Sequence, residues 1–369
     1  MKSFLLLVIF LFSLPSWAAL ELERQWSRST WQKPHMRYRH PNRMTPVLTK
    51  NLVIQGNAID GIKAFERKTG HERWHLQFKN GVEGGAALAD GKLYFGANNG
   101  QFYCVQAETG KILWSYPIHS ESLARPAVVG GKVYHVAANN TLYAFDAQTG
   151  RSLWIQSESA KPSMTVRGQT APVVDEGKLY LGFSDGNFSA FNAETGRTLW
   201  SKRIGDDKKF NDVDSTPVIT ANCILVSSYA NALYCLNKAS GSIQWRHDVG
   251  GFHPVTVEND KIYYPTVAGE IHILDASSGK LLKKIVNIDG LATAVAIDGD
   301  KIIYGESEGG LKVRDINNLN VLTSFAPGKG LQATPTIDKS SGEIYFISND
   351  ANLFKLKLQE KDRSFPWSL

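Results

Sequence analysis

The chain has 369 residues, a formal charge of +6 and an isoelectric point near 9.0. Its basic residues crowd one segment, Arg24, Arg28, Lys33, Arg37, Arg39 and Arg43, without the interleaved aromatic and basic motifs of nucleic-acid binders, so nucleic acid is not an expected partner. No later stretch approaches the roughly twenty apolar residues that a membrane-spanning helix needs.

Residues 1–18 read as a secretory signal peptide: Lys2, an apolar run FLLLVIFLFSL, then PSWA with Ser16 and Ala18 at small-residue positions. A lipid-anchored precursor would place a cysteine just after the cleavage point, and the first cysteine is Cys104. The expectation is an exported periplasmic chain without a lipid anchor. Three cysteines in an oxidising compartment cannot all pair within one chain. Cys223 and Cys235 fall near opposite ends of one expected hairpin, and Cys104 and Cys235 share a repeat position. The reading adopted is three buried thiols filling small core sites.

From residue 50 onward one unit recurs. The segments GKLYFGANNGQFYCVQAETGKILW (91–114), GKVYHVAANNTLYAFDAQTGRSLW (131–154) and GKLYLGFSDGNFSAFNAETGRTLW (177–200) match nearly position for position, and related units begin at 50, 222, 260, 300 and 342. Each has two apolar runs joined by a Gly/Asn/Asp turn, then a Thr-Gly or Ser-Gly turn and a third run. A further short strand near a proline precedes most of them, as in TPV (45–47) and APVV (171–174). Four strands in about forty residues, repeated eight times, describe an all-β, eight-bladed β-propeller. Gly70, Gly110, Gly150, Gly196, Gly241 and Gly279 close the third turn, and Trp74, Trp114, Trp154, Trp200 and Trp245 follow at a fixed offset of four. Equal spacing assigns these indoles to docking one blade on the next. Units six and seven carry Lys283 and Thr323 there, so those joints should be weaker.

The eighth unit stops at Leu358 without its own turn and Trp, while ERQWSRST (23–30) reads like an outer strand with Trp26 at the docking position. The N-terminal strand should close the ring and remove an open edge. The expected organisation is a signal peptide (1–18), a propeller (19–358) and a tail (359–369).

Counting between the first aliphatics of successive second strands gives steps of 41, 40, 46, 45, 38, 40 and 42 residues. The two long steps place extra residues in SESAKPSMTVRG (157–168) and RIGDDKKFNDVD (203–214). Both connect an outer strand to the next inner strand, so both emerge on one face, where repeat scaffolds carry their binding surfaces. Met164 and Val166, with Arg167 beside them, have the character of an interaction hot spot. Asp212 and Asp214 on the facing connection can support that edge or pair with Arg167.

No catalytic constellation assembles. His71 and His75 straddle a turn and a strand, DGDKIIYGESEGG (298–310) lacks the distal glutamate of a calcium loop, and neither a nucleophile elbow nor a phosphate-cradling loop occurs. No cofactor, metal or enzymatic activity is expected.

The repeat A-x-[DEN]-x-x-[TS]-G-x-x-x-W resembles that of the quinoprotein dehydrogenases, eight-bladed propellers that bind pyrroloquinoline quinone. Their adjacent-cysteine disulfide is missing here. A second resemblance covers nearly the whole chain after the signal. The segments QWSRST, MTPVLTKNLVIQG, VRGQTAPVV and NDVDSTPVI are similar to those of the BamB family, propeller subunits of the outer-membrane β-barrel assembly machine. That resemblance implies a non-catalytic subunit, one copy in a larger complex, whose first long loop contacts the periplasmic POTRA domains of BamA. Carried over by position, the contacts fall on Met164, Val166 and Arg167. Family members are normally lipoproteins, and this chain lacks the cysteine. Two alternatives remain: a quinone or small ligand in the central channel, and an anionic envelope polymer facing the basic N-terminal segment.

Overall fold

The computed structural model describes residues 18–31, 41–157, 170–205, 210 and 212–362. Every element among them is a strand, from β1 (Ala18–Ser29) to β32 (Asn352–Asp362), and the thirty-two strands form eight antiparallel sheets of four. Seven sheets use four consecutive strands; the eighth has the order β1-β32-β31-β30, with β30 (Thr336–Asp338) and β31 (Glu343–Ile347). This is the eight-bladed propeller expected from the repeat. No helix long and apolar enough to cross a membrane occurs among the described residues.

In most blades the two middle strands are largely buried, and the outer strand is largely exposed. In the second blade β7 (Lys92–Ala97) and β8 (Gln101–Gln106) are almost wholly buried, whereas β9 (Ile112–Pro117) keeps only Trp114 and Tyr116 half-covered. The core therefore lies between blades. Tyr134, Val136 and Leu142 of the third blade pack with Leu179, Leu181 and Phe191 of the fourth. Burial of such apolar area stabilises at about 25 cal/mol per Å².

The tryptophans join blades as their spacing predicts. Nε1 of Trp74 donates to Ala107 O at 3.0 Å, Trp114 to Ala147 O at 3.1 Å, Trp154 to Ala193 O at 3.1 Å and Trp200 to Lys238 O at 3.3 Å. Each ring lies on the turn glycine of the next blade. At Gly150, whose φ is 74°, a Cβ would come within 2.5 Å of the Trp114 ring, so glycine serves both the left-handed turn and the close approach. Trp245 lies on Gly279 in the same manner. Lys283 keeps part of this joint, because its Nζ donates to Asn317 O at 3.0 Å. It supplies the hydrogen bond without the ring.

The N-terminal strand closes the ring. Trp26 donates to Arg67 O at 3.1 Å, and β1 pairs with β32 over nearly its full length, with a bulge between Arg24 and Trp26. Both strands outrun the expected limits, β1 beginning at Ala18 and β32 ending at Asp362, four residues into the expected tail. Arg67 of the first blade bridges Asp338 and Glu343 of the last, at 2.9 Å from Glu343, and Lys355 lies 2.6 Å from Glu343. Hydrogen bonds from Ser340 and then Arg67 hold the Asp338 carboxyl well below the usual carboxylate range.

One expectation is corrected. Cys223 and Cys235 form a disulfide with their Cα atoms 5.6 Å apart, and only Cys104 is a buried thiol. The ladder explains the pairing. Leu225 of β19 (Ile224–Ser227) faces Cys235 of β20 (Leu233–Leu236), so Cys223, two residues before Leu225, shares its side of the sheet and meets Cys235 diagonally.

Candidate functional site

Both long connections leave and rejoin the propeller at one end. Their described flanks are tied together: Thr170 Oγ1 donates to Ser215 O at 3.0 Å and the Ala171 amide to Thr216 Oγ1 at 3.3 Å. Met164, Val166 and Arg167 lie outside the described residues.

Asp212 and Asp214 are described, and both are buried. Val213 fills the joint between the fourth and fifth blades, where a Cβ on Gly182 would come within 2.4 Å of its Cγ1. The carboxylates on either side of Val213 lie close enough for their charges to interact. Burial, and then the charge of Asp212, push the Asp214 carboxyl up to about 7, with Arg43 opposing. Arg43 also lies 3.7 Å from Glu83, a fully buried carboxylate. His253, half-buried by area yet walled in by protein, is pushed down to about 4 by burial and then by Arg43. Residues from the first, second, fifth and sixth blades thus come under one field around Arg43.

Beside Asp212 runs a row of half-buried rings. The Tyr229 amide donates to Asp212 O at 2.9 Å. Its ring centroid is 6.4 Å from Phe210 and 6.0 Å from Phe252, and Phe252 is 4.3 Å from His253. Phe210 has φ of 65°, an uncommon backbone state for a bulky residue. Such half-covered rings beside charge are the groups from which protein interfaces draw most of their energy. Sequence reasoning missed Arg43, Glu83, His253 and this row. Most of them sit within a few residues before an inner strand, and aligning that position across blades would have found them.

Among the described residues no group of three or more His, Cys, Asp or Glu side chains is placed to hold a metal. The site offers buried charge, half-covered aromatic surface and two long connections at one end. That is equipment for binding a macromolecule.

Comparison with known proteins agrees in family and fold. The family model described as "Outer membrane protein assembly factor BamB" matches residues 58–285, a range that includes both long connections. The chain is 28% identical over 329 residues to the BamB of Escherichia coli, covering 84% of this chain and 83% of that one. It is 30% identical over 284 residues to the BamB of Xanthomonas campestris, covering 72% and 70%. Among solved structures, BamB of Moraxella catarrhalis superposes with a TM-score of 0.76 at 19% identity, over 91% of this chain and 100% of that one. A quinohemoprotein alcohol dehydrogenase of Comamonas testosteroni superposes with a TM-score of 0.74 at 14% identity, over 95% and 78%. At that identity the dehydrogenase shares the fold alone.

Proposed function

The chain belongs to the BamB family, and we propose that it is a non-catalytic periplasmic scaffold that docks the POTRA domains of BamA during assembly of outer-membrane β-barrel proteins. The observation that carries this reading is the family match across residues 58–285, which spans both long connections, VRGQTAPVV and NDVDSTPVI included. In it Met164 and Val166 supply apolar anchors and Arg167 a planar multidentate cation. Asp212 and Asp214, both buried, are the polar groups that the facing connection contributes to this edge. The half-covered rings of Tyr229 and Phe252 continue the contact surface towards the sixth blade. Attachment to the assembly machine runs through protein contacts.

A pull-down with the periplasmic domains of BamA, comparing wild type with Arg167→Glu, tests the edge. The variant should recover at most about a tenth of the partner, since reversing a hot-spot charge removes several kcal/mol. Equal recovery would sink the assignment of that edge.

A further inference from the structure

We propose that His247 and His272 form an acid-sensitive latch between the fifth and sixth blades, closed while one of the two imidazoles is neutral and opened when both carry charge. His247 ends β21 (Ile243–His247), the outer strand of the fifth blade, and His272 lies on β24 (Ile271–Asp275), the third strand of the sixth. Their rings meet across the joint, His247 Nε2 standing 2.8 Å from His272 Nδ1. On its far side His272 Nε2 is 2.8 Å from Glu270 Oε2, and Lys284 Nζ is 2.9 Å from Glu270 Oε1. A carboxylate only accepts, so His272 Nε2 carries the hydrogen. A neutral His272 therefore offers a lone pair at Nδ1, and His247 Nε2–H donates to it. One added proton still leaves a donor facing a lone pair. A second sets N–H against N–H, with two like charges at hydrogen-bond distance.

The fold does not need imidazoles here. At the equivalent positions Tyr116 and Tyr143 join the second and third blades with ring centroids 6.2 Å apart, and Phe325 and Phe354 join the seventh and eighth at 5.6 Å. Those rings take up no proton in acid. The joint of the fifth and sixth blades alone places two histidines there. Burial, and then the charge of His272, hold the His247 pKa below its ordinary 6.5, with Asp248 opposing. Asp248 is paired at 2.5 Å with Arg246, which stands over the Tyr234 ring. Tyr264 meets His247 edge-on at 6.4 Å, and burial pushes its phenol well above the usual range. The folded joint thus refuses a proton that the unfolded chain accepts, and it loses stability as pH falls below 6.5. The same joint anchors the connection that follows: Tyr264 Oη donates to Val249 O at 2.8 Å, and the Gly251 amide to Ser228 O at 3.2 Å. Opening the latch frees the strand end from which Phe252 is carried. That this would loosen a docking surface rests on the function proposed above; the latch itself does not.

Hydrogen exchange of the intact protein, read by mass spectrometry and corrected for the intrinsic rate at each pH, tests it. Between about pH 7 and about pH 4.5 the protection of residues 247–252 should fall at least about tenfold in wild type. Joint replacement by His247→Phe and His272→Phe, the ring pair already used between the seventh and eighth blades, should keep that protection. His247→Gln retains a donor for His272 Nδ1 but takes no proton, and should keep it as well. Histidine NMR gives an independent reading: His247 should titrate below 6.5 in wild type and higher in His272→Phe. Equal acid loss of protection in wild type and both variants, or a wild-type His247 that titrates at its ordinary value, would overturn the latch.

Discussion

Replacing Trp26 by alanine should open the ring where its two chain ends meet. Trp26 is 7% exposed and packs with Val53, Phe65, Tyr345 and Leu353, its ring 6.1 Å from that of Tyr345. The Arg28 guanidinium stands 5.9 Å above it, and the Trp26 indole N–H donates to Arg67 O. Removing a buried Trp side chain costs about 3–5 kcal/mol where the site cannot collapse, and the lost hydrogen bond adds about 1 kcal/mol. The half-buried Trp200 makes the same bond to Lys238 O at 3.3 Å, but its two blades are joined directly by the chain. Trp200→Ala should therefore cost less, about 2 kcal/mol. Urea unfolding followed by far-ultraviolet circular dichroism gives both numbers without relying on indole fluorescence. If Trp26→Ala unfolded within about 0.5 kcal/mol of wild type, or cost less than Trp200→Ala, closure by β1 would not be holding the ring.

Two buried groups make stability depend on pH with opposite signs. His135, fully buried and pushed down to about 3 by burial, refuses the proton that the unfolded chain accepts below about 6.5. Stability should fall as pH drops from there towards 3, by up to about 1.4 kcal/mol per unit, and His135→Leu should lose that slope in denaturant titrations. Asp214 holds its proton up to about 7, against an ordinary value of 3.8. Its contribution is fully present below 3.8 and is lost as pH rises to 7, so Asp214→Asn should gain on wild type at pH 8 and not at pH 4. Replacing Cys223 and Cys235 by alanine opens a loop with a sequence separation of 12. Loop-closure entropy puts the loss at about 3 kcal/mol, and reducing agent should lower the wild-type midpoint while leaving the variant unchanged.

What could be read from the sequence was whatever one repeat unit decides for itself. The glycine four residues before each Trp and the alternation of apolar positions are local, and QWSRST near the N-terminus matched the missing outer strand by the same rule. The disulfide escaped because two of three cysteines can pair in several ways, and only the register of Leu225 opposite Cys235 puts Cys223 within reach. The extension of β32 to Asp362 was hidden by the polar run QEKD, which reads as a tail until β1 lies beside it. The charges around Arg43 come from residues 43, 83, 212, 214 and 253, far apart in the chain and gathered only by closing the ring.

Titrating the tandem POTRA segment of BamA into the intact propeller, followed by calorimetry, addresses the scaffold reading most directly. The reading predicts saturable one-to-one binding that is weakened at least about tenfold by joint replacement of Met164, Val166 and Arg167 with alanine. Absence of saturable binding up to the solubility limit of both proteins would contradict it.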